Sequence, residues 1–195
     1  FANDPLVYGE NTIEVVMAAP MHSEYDQTRQ TVTFTLEEAV NVATLNGTVD
    51  MQALADDTAT ITVGLYQNGD TTPVYEFTPT TDSDGNFTVT GIAPDEYEVA
   101  VKHANHLQVV ETITLVVGEN TADFGTLLAG DVDDNNIVEL SDFSILAGVF
   151  ALVSGENGFD ARADLNADGT VTLEDFSLLA GNFNAIGEEP SNATP

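Results

Sequence analysis

The chain has 195 residues, with three Lys or Arg against 33 Asp or Glu, a formal charge of −30 and no cysteine. That charge excludes nucleic acid and anionic membranes as partners and favours divalent cations. The lack of cysteine excludes disulfides and thiolate metal sites, and no apolar run is long enough to span a bilayer. Hydrophobic residues make up 43%, so the chain is long and apolar enough to bury real cores. The first residue is Phe1, from which we expect an exported, mature form whose leader has been removed, located outside the cell or at its surface.

Residues 1–30 are expected to hold a strand over 11–19, with Ile13, Val15 and Met17 on one face, followed by a polar linker. This strand is surplus to the sandwich that follows. It is expected either to join an edge of its own sandwich or to complete that of a neighbouring copy by strand addition, with Ile13, Val15 and Met17 as contacts. Val32, Phe34 and Leu36 alternate inward along 31–36. Short runs rich in Val, Thr, Ile and Tyr then predict strands over 43–51, 58–67, 73–79, 85–90, 96–103, 108–117 and 121–128. Seven strands at this spacing predict an immunoglobulin-like β-sandwich, placed over residues 31–128.

The phrases Leu45-Asn46-Gly47-Thr48-Val49, Asp84-Gly85-Asn86-Phe87 and Ile92-Ala93-Pro94-Asp95-Glu96-Tyr97 resemble the carboxypeptidase-regulatory-like, or transthyretin-like, sandwich family. The resemblance implies a non-catalytic spacer, adhesion or binding unit and gives no substrate. Asp82-Ser83-Asp84-Gly85-Asn86 looks like a calcium loop but lacks a final ligand, so a hairpin turn is expected there. His103 and His106 have no third metal ligand at an obvious spacing. Lys102 is the only lysine.

From residue 131 one pattern is written twice, Asp131 corresponding to Asp164 and every later residue keeping that offset. A calcium loop supplies oxygens from positions 1, 3, 5, 7, 9 and 12 of twelve residues. In the first loop these are Asp131, Asp133, Asn135, Ile137 (through its carbonyl), Glu139 and Asp142. In the second they are Asp164, Asn166, Asp168, Thr170, Thr172 and Asp175. Position 6, which turns with positive φ, is Asn136 or Gly169, and position 8 is Val138 or Val171. One helix follows each loop. The stripes Phe143, Leu146, Ala147, Phe150 and Phe176, Leu179, Ala180, Phe183 predict a small core between the helices. Gly148 and Gly181 within them predict close approach of another backbone.

The two loops, the Asp-Phe-Ser phrase after each and the approach Phe159-Asp160-Ala161-Arg162-Ala163-Asp164 resemble the dockerin family over residues 129–184. Dockerins are similar to EF-hands without the helix before each loop. The resemblance implies two calcium ions, antiparallel helices related by a pseudo-twofold axis, and non-catalytic docking onto a β-sandwich partner, cohesin. It places partner contacts at Leu140, Ser141, Leu173 and Glu174. Residues 185–195 are expected to be a polar tail. No catalytic constellation is present in the sequence, so no enzyme activity is expected. With no catalytic cargo, the chain is expected to be a calcium-loaded structural subunit that assembles with copies of itself. The alternative is an X-module-like sandwich and dockerin that docks onto a cohesin scaffold.

Overall fold

In the computed structural model the described residues are 41–67 and 70–191, together with the backbone of 9–16 and 29–36. β1 (Gly9–Val16) and β2 (Arg29–Leu36) form an antiparallel pair in which Ile13 faces Val32 and Val15 faces Gln30. This two-stranded sheet belongs to a compact unit separate from residues 41–195. Among the described residues, the segment over 31–36 pairs with β1 in this two-stranded sheet. Alternation marks a strand without naming its partner. Met17 and the side chains of Ile13 and Val15 lie outside the described residues.

The second unit begins with seven strands: β3 (Ala43–Met51), β4 (Thr62–Tyr66), β5 (Tyr75–Phe77), β6 (Asn86–Ile92), β7 (Glu96–Lys102), β8 (Val109–Thr114) and β9 (Gly118–Leu127). They form two sheets, ordered β6-β3-β9 and β5-β4-β7-β8. β3 runs antiparallel to β6 and parallel to β9. The period-two pattern sends Leu45, Val49 and Met51 from one sheet and Val63, Leu65, Tyr97, Val99 and Val101 from the other into one core. Each such aliphatic side chain contributes about 1.5–3 kcal/mol by leaving water. The Tyr97 hydroxyl stays satisfied at the core edge by donating to Ala93 O at 3.0 Å.

The Asp82 segment is a turn, as its chemistry predicts. The Asp82 carboxylate accepts from the backbone N–H of Asp84 and Asn86 at 3.0 and 2.9 Å, and those bonds hold it below the usual carboxylate range. Gly85 has φ +75°, and a Cβ there would lie 1.7 Å from Val49 O. Gly85→Ala is therefore expected to destabilise the sandwich by about 2 kcal/mol or more, read as a lower urea midpoint.

Two helices follow, α1 (Leu140–Gly148) and α2 (Leu173–Gly181), with a 3-10 turn at Ala161–Ala163 between them. Leu146 and Leu179 pack with Val132, Val138, Leu165 and Val171 in a second core, which also takes in Leu107 and Ala129. The join to the sandwich also carries polar contacts. Gln52 Oε1 accepts from Ala129 N at 3.0 Å and from Asn182 Nδ2 at 2.6 Å, and Asn182 Nδ2 also donates to Ala129 O at 2.7 Å.

His106 is buried at this join, within 2.8 Å of Asn105 Oδ1 and 3.2 Å of Gln52 O. Burial pushes its pKa from 6.5 down to about 4, with His103 and Lys102 adding to the fall and Gln52 and Asp50 opposing it. Between those values the unfolded chain binds the proton and the fold does not, so stability falls as pH falls through that window. The expected loss from above pH 6.5 to pH 4 is on the order of 3 kcal/mol. Urea midpoints at saturating calcium check this, and His106→Gln is expected to flatten the dependence.

Candidate metal loops and helix face

The two loops are built alike. In the first, Asp131 Oδ1 and Oδ2 accept from Asn135 N at 2.8 Å and Asn136 N at 2.9 Å. In the second, Asp164 Oδ1 and Oδ2 accept from Asp168 N at 3.1 Å and Gly169 N at 2.9 Å. Each opening carboxylate thus folds its own loop around itself. The closing Asp does two things. Asp142 Oδ1 reaches back to Asp133 N at 3.0 Å, while Oδ2 accepts Glu139 N at 2.8 Å as the third residue of α1. Asp175 does the same, its Oδ1 accepting from Leu165 N at 2.7 Å and Asn166 N at 3.3 Å and its Oδ2 from Thr172 N at 2.7 Å. An aspartate at position 12 is therefore also the capping-box residue of the following helix.

The segments after the helices cross over. After α1, Ala151 N donates to Val171 O at 2.8 Å and Ser154 N to Gly169 O at 2.8 Å, clasping the second loop. After α2, Asn184 N donates to Val138 O at 2.8 Å and Gly187 N to Asn136 O at 2.9 Å, clasping the first. Ala151 and Asn184 both carry left-handed φ, 65° and 68°, at equivalent turns. Sequence reading did not foresee this exchange, because the clasps are backbone bonds that side-chain pattern does not reveal.

The start of the tail is held by hydrogen bonds. Glu188 N donates to Gln108 O at 2.9 Å, and Asn136 Nδ2 donates to Glu189 Oε1 at 2.7 Å. Asn136 Oδ1 accepts from Gln108 N at 2.8 Å, so Asn136 joins sandwich, loop and tail as glycine could not.

The donor set of the first loop suits a hard cation. Asp131, Asp133 and Asp142 each offer a carboxylate oxygen, all within 4.8 Å of one another, and Asp131 and Asp142 are fully buried. Asp133 Oδ1 is buried with no hydrogen-bond partner. Buried, converging carboxylates are costly unless a cation lies among them. Burial pushes the Asp131 carboxyl up, opposed by Lys102. Burial also pushes Asp164 up, opposed by the Gly169 N–H and aided by the Asp175 and Asp168 charges. In the second loop Asp164 and Asp175 are likewise buried. Asn135, Ile137 and Glu139, and their counterparts Asp168, Thr170 and Thr172, line the remaining turns of the two loops.

The helices correct the expected core. Only Leu146 and Leu179 of each stripe are buried. Phe143 and Phe176, both 37% exposed, meet edge to face at 5.9 Å, and Phe150 and Phe183 are also exposed. Ala147 and Ala180 are exposed as well. The buried side of each helix is instead turned one step, taking in Ile145 and Val149 or Leu178. Gly148 and Gly181 end their helices facing open space, not another backbone. Leu140 and Leu173 stand at the helix N-termini 66% and 67% exposed, with Ser141 half-buried and Glu174 exposed beside them. A groove of about 360 Å³ lies between the helices, lined by Phe143, Leu146, Ala147, Phe150, Leu173 and Phe176.

Residues 129–184 match the family Dockerin type I domain. A dockerin domain is a calcium-binding, non-catalytic protein-interaction module, and the acidic cluster of the first loop falls inside the matched segment. Two solved structures share this fold over most of the chain. Both belong to type II cohesin–X–dockerin complexes of Acetivibrio cellulolyticus carrying interface mutations. One matches at 22% identity and a TM-score of 0.61, the other at 23% and 0.59, each covering 74% of this chain and 97% of the matched chain. No curated protein matches. No helix among the described residues is long and apolar enough to cross a membrane. None of these comparisons supports the expected self-assembly into a fibre or layer.

Proposed function

We propose that this chain is a non-catalytic extracellular module that docks onto a cohesin-like β-sandwich through its dockerin segment. The observation that carries the proposal is the repeated exposed apolar face, Leu140 with Phe143 and Leu173 with Phe176, set directly beside the two acidic loops. Exposed large apolar side chains grouped on one face mark protein contact. Ser141 and Glu174 supply its polar rim.

Two calcium ions are held in this reading, one by Asp131, Asp133, Asn135, Ile137, Glu139 and Asp142, the other by Asp164, Asn166, Asp168, Thr170, Thr172 and Asp175. The ions supply positive charge that lets the buried carboxylates converge. The chain's own part is to orient those groups. Asp142 and Asp175 fix the start of each helix by capping it, so loop geometry sets the direction of the exposed face. The sandwich, similar to carboxypeptidase-regulatory-like domains, braces the dockerin segment through Gln52 and Asn182. The neighbours named for their cohesin complexes support the choice of partner. The test is binding of the full chain to immobilised cohesins of several types. Calcium-dependent capture that EDTA abolishes is expected; capture by none of them, with the chain folded and calcium-loaded, contradicts the choice of partner.

A further inference from the structure

Lys102 is the last residue of β7, yet its side chain belongs to the first loop. The side chain is 17% exposed, and its ammonium has three oxygen partners: His103 O at 2.8 Å, Asp131 Oδ2 at 3.1 Å and Asp134 Oδ1 at 2.5 Å. Two of these contacts are hydrogen bonds and the third, to Asp131, is an ion pair. It is the only lysine in a chain with 33 acids. The second loop has no counterpart among the described residues: Arg162 is half exposed and bridges Asp160, outside the twelve-residue loop.

We infer that Lys102 is a built-in counter-ion of the first loop, steadying its carboxylates without calcium and opposing the ion when it binds. This rests on reading the loop as a calcium site. A buried carboxylate needs a cation or strong donors, and Lys102 supplies one permanently to Asp131, the residue that opens the loop. The same charge repels a divalent ion arriving among those carboxylates. The first loop offers carboxylates from Asp131, Asp133, Glu139 and Asp142, and the second from Asp164, Asp168 and Asp175. Lys102 thus brings the more acidic loop toward the charge of the other, and the two loops fill over a similar range of calcium. Because β7 is a sandwich strand, the sandwich sets the first loop's response.

The test uses the full chain and calcium alone. Unfolding midpoints are measured in EDTA and in calcium, with calorimetric titration alongside. In Lys102→Met the calcium-free midpoint falls by several degrees and the rise produced by calcium grows. The first loop binds roughly ten-fold more tightly, with the second unchanged. Lys102→Arg keeps the charge and stays close to the parent. A calcium-induced rise in Lys102→Met equal to or smaller than the parent's overturns the inference. If Lys102→Met does not fold, 13C-lysine labelling of the parent decides. The single lysine gives one ε-methylene signal, which must move as the first loop fills, and a signal unmoved at saturation overturns the inference. A parent that binds no calcium removes the site reading itself, a different outcome from bound calcium indifferent to residue 102.

Discussion

In EDTA, residues 131–183 are expected to unfold in a separate transition tens of degrees below that of the sandwich, and calcium restores a high midpoint. A ligand present at a thousand times its Kd stabilises a site by about 4 kcal/mol, so two sites give about 8 kcal/mol. That is comparable to the whole stability of an ordinary domain, about 5–15 kcal/mol. The core under the helices is small, centred on Val132, Val138, Leu146, Leu165, Val171 and Leu179. Asp131, Asp142, Asp164 and Asp175 are buried around it, and they repel one another without a cation. Helix capping fails with the loops, because Asp142 and Asp175 serve both. Circular dichroism at the helical band, followed against temperature with and without calcium, measures this. An unchanged midpoint for the helical signal contradicts it.

The second large effect concerns the helix face. Leu140→Ser with Leu173→Ser is expected to weaken cohesin binding by roughly 100-fold or more while changing stability by only about 0.5 kcal/mol. Large exposed side chains that become buried at the centre of an interface act as anchors, each costing about 2 kcal/mol or more when removed. The same side chains are two-thirds exposed in the free chain, so the fold gains little from them. Phe176→Ser should weaken binding as well, with some loss of stability from its contact with Phe143. Val116→Ser with Val117→Ser, exposed at the turn before β9, serves as the control and should leave binding unchanged. Surface plasmon resonance on the matched cohesin, paired with urea unfolding, separates the two readouts. Equal binding by parent and the double leucine variant moves the interface elsewhere.

What was legible in the sequence was whatever is local. Asp131 to Asp142 and Asp164 to Asp175 declare their chemistry because the spacing of oxygen donors is a property of a dozen consecutive residues. The sandwich strands were legible from alternation, with β3 found at its observed ends. The partner of each strand was not, and β2 pairs with β1 for reasons of register that no short window contains. The apolar stripe on each helix was seen, but Phe143 and Phe176 were assigned inward. A helical period says which residues share a face, and the burial of that face depends on what stands opposite. Lys102 looked like an isolated lysine, because its partners Asp131 and Asp134 are distant in sequence. Asn136 looked like a substitute for glycine, while its amide in fact ties Gln108 to the tail.

The most direct measurement is a calorimetric calcium titration of the full chain beside Asp131→Asn, Asp164→Asn and the double variant. Two ions per chain, one for each single variant and none for the double variant are predicted. No binding by the parent, or two ions still bound by the double variant, contradicts the twin-loop site from which the docking face takes its shape.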